Sequence, residues 1–306
     1  MSIQVLDRPL TYLTGSVERA ILETLAYSDI FNYPLRADEI VRYMPVAATL
    51  EQVRRSLDDA GPVVQCLRGY YFLEGREAIV RVRERREPAS LKQLRVAYRI
   101  GRLLGRLPFI RMAALTGSLA VLNSDATADL DYMLVAAPDR VWTARGLAVL
   151  MGRLTSHLGY TLCPNLIVSE RRLEWADRSL YSAREICQMI PITGLPTYVK
   201  LRGANTWTQR YLPNAGSMPP VPLPGANPSR RLQSLGEWTL SGQFGDRLEA
   251  WERNRKMARL MCQPGYGPET NFDAEICQGN FDHHRSITQQ EYRRRLSWLG
   301  INAPEE

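Results

Sequence analysis

Histidine and cysteine are scarce in this chain, and long apolar runs are missing altogether. Among 306 residues there are three histidines and five cysteines. Cys66, Cys163, Cys187, Cys262 and Cys277 are odd in number, far apart, and form no C-x-x-C pair. That excludes a disulfide framework and a cysteine-based zinc site, and it fits reduced thiols in a cytoplasm. His283-His284 reads as a surface pair near the end of the chain rather than a metal site. No apolar stretch reaches the roughly 18 residues of a membrane span, so no membrane partner is expected. The opening MSIQVLDRPLTYLTG lacks a basic segment followed by an apolar core, so no signal peptide is expected either. Internal repeats are absent, and the one biased tract is the proline-rich stretch near residues 213–228.

What is present is the composition of a globular protein, 45% hydrophobic and 23% charged, and the length suggests two domains. The net charge of +7 is local: residues 76–106 hold ten Arg or Lys against three Glu, which accounts for all of it. A patch of this kind suits nucleic acid or nucleotide phosphates; it also suits a solvated basic helix.

The most informative stretch is 111–136, RMAALTGSLAVLNSDATADLDYMLVA. An apolar run, Met112 to Leu115, ends in Gly117-Ser118. Ten residues later comes Asp129-Leu130-Asp131 and a second apolar run, Met133 to Val135. This pattern predicts strand, tight turn, short helix, turn, strand. Alternation along a strand puts Asp129 and Asp131 on one face and Leu130 on the other. Neighbouring carboxylates repel unless a cation lies between them, and their oxygens suit Mg²⁺, with Mn²⁺ as a substitute, an ion that bridges to phosphates. Gly117 lets a phosphate approach the backbone, and Ser118 offers a hydroxyl and an N–H at a helix start.

An apolar strand, Gly-Ser, about ten residues, then Asp-x-Asp on the next strand resembles the signature of the DNA polymerase β-like nucleotidyltransferase superfamily. The likeness covers about residues 90–212. It implies a small mixed β-sheet core with helices, Asp129 and Asp131 as catalytic metal ligands, and Gly117 and Ser118 as the cradle for the phosphates of an NTP. The superfamily usually places a third carboxylate on a later strand. The matching position here, on a strand expected over Asn165 to Ser169, holds Asn165, whose amide can ligate but cannot take a proton. Glu170 is close by, although strict alternation turns it to the opposite face. Glu185, Asn205 and Trp207 fall in the helical segment that shapes the acceptor pocket in small nucleotidyltransferases, and each reads better as structural.

Upstream, residues 17–75 show three short amphipathic helices and a hairpin pattern around Arg68-Gly69. That order resembles the winged helix-turn-helix domains of transcription regulators. The outer face of the third helix carries Arg54 and Arg55 against Glu51, Asp58 and Asp59, a nearly neutral surface that suits packing or protein contact better than DNA. Residues 77–107 are expected as one or two helices broken near Pro88, with Ser90 capping the second. Its inner stripe would be Val96, Ile100, Leu103, Leu104 and Leu107, with Arg95, Arg99, Arg102 and Arg106 outside. Helices are expected over 138–157 and through 173–212. Another runs over 229–262, and a last one covers 289–299.

The expected fold class is therefore α/β (α+β): a winged-helix-like domain at 1–88, a nucleotidyltransferase core at 89–212, a proline-rich linker at 213–228 and a C-terminal helical region at 229–306. The expected activity is Mg²⁺-dependent transfer of a nucleoside monophosphate from an NTP to an acceptor, releasing pyrophosphate. Small molecule, protein and nucleic acid all remain open as acceptor. The competing expectation is a nucleotide-sensing or DNA- or protein-binding regulator whose core no longer turns over.

Overall fold

The computed structural model describes residues 16–125, 128–216 and 231–302. The opening fifteen residues and most of the proline-rich stretch lie outside them. The fold is mixed α/β: a six-stranded mixed sheet, a separate two-stranded antiparallel hairpin, and eleven α-helices among the described residues. No described helix is long and apolar enough to cross a membrane.

The N-terminal part runs α1 (Ser16–Asp29), α2 (Ala37–Tyr43), α3 (Leu50–Asp58), β1 (Val64–Leu67) and β2 (Tyr70–Leu73). Thr49 caps α3 in the predicted capping box, its hydroxyl accepting from Gln52 N at 3.2 Å while Gln52 Oε1 accepts from Thr49 N at 2.8 Å. The hairpin turns through Arg68 and Gly69, both at positive φ, as a two-residue connection that follows the strand twist requires. These elements bury Ile21, Leu25, Ile40, Val53 and Leu73 in one cluster, which also takes in Leu296 and Leu299 from the far end of the chain.

One helix, α4 (Ala78–Leu104), then runs unbroken through Pro88, so the expected break and the 88/89 boundary both fall inside a continuous element. Pro88 lies on the solvent side, where the carbonyl it leaves unbonded can be hydrated. Ser90 is not a cap but a fully buried tie: its hydroxyl accepts from Ser124 N at 3.0 Å and donates to Ser124 O at 3.2 Å. Leu103, expected on the inner stripe, is 47% exposed. The basic stretch divides in function. Arg76, Arg83 and Arg86 pair with Asp29, Glu39 and Asp125. Arg95, Arg99, Arg102 and Arg106 stand exposed on the side opposite the buried face of Ser90, Ala97, Ile100 and Leu104.

The central sheet contains β3 (Ile110–Leu115), β4 (Leu130–Ala136), β5 (Leu162–Ser169), β6 (Ile190–Thr193), β7 (Thr270–Phe272) and β8 (Ile276–Gly279), in the order β6-β3-β4-β5-β8-β7. Only β4 and β5 run parallel; the other pairs are antiparallel. α4 and α6 (Val141–Ser156) cover one face, burying Leu104, Leu134, Trp142 and Ile167. α7 (Leu180–Gln188) and α8 (Leu195–Ala204) cover the other with Met133, Ile186, Tyr198 and Trp207.

Two stretches read as helical contain strand. Ile190 to Thr193 pairs with β3 as the sheet edge, where Pro191 needs no ladder N–H. The C-terminal region, expected as helices, supplies β7 and β8 as well as α9 (Arg231–Thr239), α10 (Gly242–Leu260) and α11 (His284–Trp298). It is laced to the rest: Glu249 on α10 accepts from Trp142 N at 2.9 Å and Thr143 N at 2.6 Å, capping α6.

Candidate active site

The turn from β3 into α5 (Gly117–Ala120) sets the centre of the site. Gly117 has φ +68°, a left-handed conformation that a side chain would strain, and a Cβ there would lie 2.5 Å from Asp131 Oδ2. Thr116 N donates to Asp131 O at 3.0 Å, which locks the turn to the head of β4. The expected short helix is a single turn, so its dipole adds little; the useful donors are its free N–H groups and the Ser118 hydroxyl.

Asp129 is exposed just before β4 and Asp131 is half-buried on it. Gly117, Ser118, Asp129, Asp131 and Asn165, the five residues singled out by sequence, all line one cavity of about 590 Å³. Burial and the neighbouring Asp129 charge push the Asp131 carboxyl up to about 6, against the lowering effect of a hydrogen bond with Cys163. The Cys163 thiol is itself raised, to about 12, by burial and the two aspartates. No Arg or Lys makes an ion pair with Asp129 or Asp131 among the described residues. An acidic pair left without a cation, beside a turn that a methyl group would block, has the chemistry of a site for a hard divalent ion and phosphate. The described residues hold no group of three or more Asp, Glu, His or Cys side chains gathered as a metal shell. Substrate phosphate oxygens would have to complete the coordination.

Asn165 reaches the cavity through an irregularity. In the β4–β5 ladder Tyr132 faces Pro164 and the next residue, Met133, faces Leu166, so Asn165 is the extra residue of a bulge. Bulges beside active sites re-aim a side chain, and simple alternation along β5 fails here. Glu170 is nowhere near: it lies at the other end of β5, its N–H bonded to Ala136 O and its carboxylate 3.6 Å from Arg111 Nε.

A downstream carboxylate that does reach the cavity is Glu185, on α7. Burial and the Asp131 charge hold it up near 7. Its helix turns Ala183, Ile186 and Cys187 into the core, which leaves Tyr181 and Glu185, four residues apart, on the cleft side. That spacing was legible in sequence as the polar complement of an apolar stripe. Asn205 and Trp207 are structural: Asn205 Oδ1 accepts from Trp175 N and Trp207 Nε1 at 2.9 and 3.0 Å, and its amide donates to Leu173 O and Leu201 O.

The remaining walls come from both ends of the chain and were missed by motif reading. Tyr27 enters from α1 and Phe31 and Tyr33 from the turn after it, and Gln278, Asn280, Asp282 and His284 come from β8, the loop that follows and the start of α11. Tyr33 Oη donates to Val121 O at 2.7 Å and Asn123 Nδ2 to Phe31 O at 3.1 Å, so the N-terminal part is bonded to the motif turn itself. Compared with protein-family models, with curated proteins and with solved structures, the chain matches none.

Proposed function

We propose that this chain is a Mg²⁺-dependent nucleotidyltransferase, with residues 90–212 as its polymerase β-like core and the N-terminal helices and hairpin as a winged-helix-like module. The observation that carries the reading is the convergence on one cavity of Gly117, Ser118, Asp129, Asp131 and Asn165, with the missing side chain of Gly117 facing Asp131 Oδ2. Asp129 and Asp131 would hold Mg²⁺, or Mn²⁺, which supplies charge neutralisation for the triphosphate. Ser118 and the backbone N–H groups after Gly117 hold phosphate oxygens. An acceptor hydroxyl attacks the α-phosphorus; the new O–P bond forms as the bond to the bridging oxygen breaks, and pyrophosphate leaves. Glu185, held up near 7 by burial, takes the hydroxyl proton, a role that neither Asn165 nor Cys163 fills. The winged-helix-like module serves as a cleft wall, through Tyr27 and Phe31, rather than as a reader of DNA.

Incubation with Mg²⁺, each labelled NTP and an acceptor panel tests this directly. Asp129→Asn is expected to abolish transfer, and Glu185→Gln to slow it about 10²-fold or more, in line with loss of a general base, while NTP binding survives. Full turnover in Asp129→Asn would remove the reading.

A second reading, a nucleotide-sensing regulator, draws on one feature: Cys163 and Asn165, not carboxylates, project from β5 beside Asp131. It requires NTP binding with no product from any acceptor.

A further inference from the structure

The helices on the sheet face away from the cleft carry an outer surface that is both basic and apolar. α4 and α6 pack on that face, with Leu260 of α10 in the same cluster. The cavity opens on the other face, where Met133 and Leu166 line it. Residues 88–124, 140–169 and 253–268 contain no Asp or Glu. Arg95, Arg99, Arg102 and Arg106 stand exposed on α4, joined by Arg153 from α6 and Arg259 from α10. The carboxylates of α10 do not offset them: Glu249 and Glu252 are buried, and Asp246 pairs with Arg140. Loss of hydration, and then the charges of Arg145, Arg255 and Arg259, hold the Lys256 ammonium below its ordinary value. Cations crowded in this way favour an anionic partner.

Large apolar side chains lie among these cations. Leu150, Leu154 and Trp251 are 54%, 63% and 58% exposed, and Leu91 and Leu103 stand beside the arginines of α4. Leu147, Leu150 and Leu154 recur at three and four residues, so α6 is apolar on its outer side as well as its inner one. A groove of about 290 Å³ between α6 and α10 is lined by Leu147, Leu150, Leu248 and Trp251 together with Arg153, Arg255 and Lys256. A nucleic acid backbone would use the cations and leave the leucines in water. A second copy of the chain would bury the leucines, but two-fold symmetry would set the cations against their own counterparts. An anionic lipid surface takes both, with phosphate headgroups on the guanidinium groups and the leucines and Trp251 at the acyl boundary. The arginine stems bury their methylenes there while their heads stay at phosphate level.

We propose that the outer side of α4, α6 and α10 docks this protein on an anionic lipid surface, leaving the cleft on the opposite face of the sheet open to solutes. No described helix is long and apolar enough to cross a membrane, so the contact is peripheral. It depends on neither the metal nor the transfer reaction.

The test is co-sedimentation of the full chain with phosphatidylcholine vesicles, with and without phosphatidylglycerol. The expected result is retention on the mixed vesicles, little on the neutral ones, and a fall in retention as salt is added. Trp251→Ser and Arg99→Glu are each expected to lower the partition coefficient about tenfold. Both positions are exposed, so thermal melting should show the fold unchanged. No retention on the mixed vesicles overturns the inference. Retention that both variants leave intact also overturns it, because the lipid contact would then lie elsewhere. Where vesicles are not bound, binding to a short oligonucleotide gives the arginines to nucleic acid. A dimer in light scattering that Trp251→Ser dissolves, again without vesicle binding, gives the face to a second copy.

Discussion

Asp131 shows how one residue can serve a site at the expense of the fold. Burial and the charge of Asp129 raise its carboxyl from 3.8 to about 6, so above that pH the native state carries an ionised group it disfavours. The unfolded chain has no such penalty, and the sign is therefore destabilising at neutral pH. After allowance for its partial exposure, relief of this strain in Asp131→Asn is worth about 1–2 kcal/mol, a rise of ~2–5 °C in Tm by thermal melting. If Asp129 and Asp131 hold magnesium as proposed, the ion is expected to raise the Tm of the parent and not of the variant, which lacks one of the two ligands. A variant that melts lower than its parent would show that Asp131 holds the fold together. Gly117 carries the matching constraint: Gly117→Ala combines a strained φ with a methyl group 2.5 Å from Asp131 Oδ2. It is expected to cost about 1–3 kcal/mol in urea titration and to remove NTP binding.

At the scale of elements, the start of α11 is capped by a single carboxylate. Glu269 accepts from Ser286 N at 2.8 Å, Arg285 N at 3.0 Å and Asn280 Nδ2 at 2.6 Å, and from the Ser286 hydroxyl. Burial acts to raise its pKa, but these hydrogen bonds and the Arg285 charge outweigh it and bring it below 4.5. A depressed carboxyl adds stability above its unfolded value and loses it as pH falls through the folded one. The parent should thus lose stability more steeply than Glu269→Gln below about pH 4.5. Urea midpoints from pH 7 to pH 3 check this; parallel curves would refute it. The same scale explains the misread elements. Pro88 and Pro191 are punctuation by local rule, yet one rides the solvent face of α4 and the other sits on the edge strand. The bulge at Asn165 follows Pro164, which sits inside β5 where the ladder shifts register.

Across the described residues, ionic staples join the N-terminal helices to α4 and its start and to the C-terminal helix. Arg83, 1% exposed on α4, forks onto both oxygens of Glu39 at 2.7 Å, donates to Pro34 O at 2.6 Å and lies over Tyr33 at 4.2 Å. Asp29 is shared between Arg76 and Arg295, which ties α1 to α4 and α11 together. Breaking a buried pair leaves an unpaired charge, so Arg83→Met is expected to cost about 3–5 kcal/mol by urea denaturation, and adding Glu39→Gln should recover part of it. Tyr33 reaches Val121 beside the motif turn, so the single variant should also weaken NTP binding. Unchanged stability in Arg83→Met would mean that the staple is ornamental.

Residue order alone determined the chemistry of the centre. A glycine that must stay bare, a serine next to it and two aspartates one strand later sit within fifteen residues, where local geometry does most of the positioning. The N-terminal helices and hairpin were legible for the same reason, since periodicity and turn residues act over short range. Tertiary structure decided everything that depends on contacts between distant segments. It brought Glu185 to the cleft from fifty-odd residues downstream and placed Tyr27 and Asp282 from the two ends of the chain on the same wall. It also inserted β8 beside β5, and committed Arg76, Arg83 and Arg86 of the basic stretch to ion pairs. Such placements are set by which surfaces can bury one another, a property of the assembled chain that no window of sequence contains.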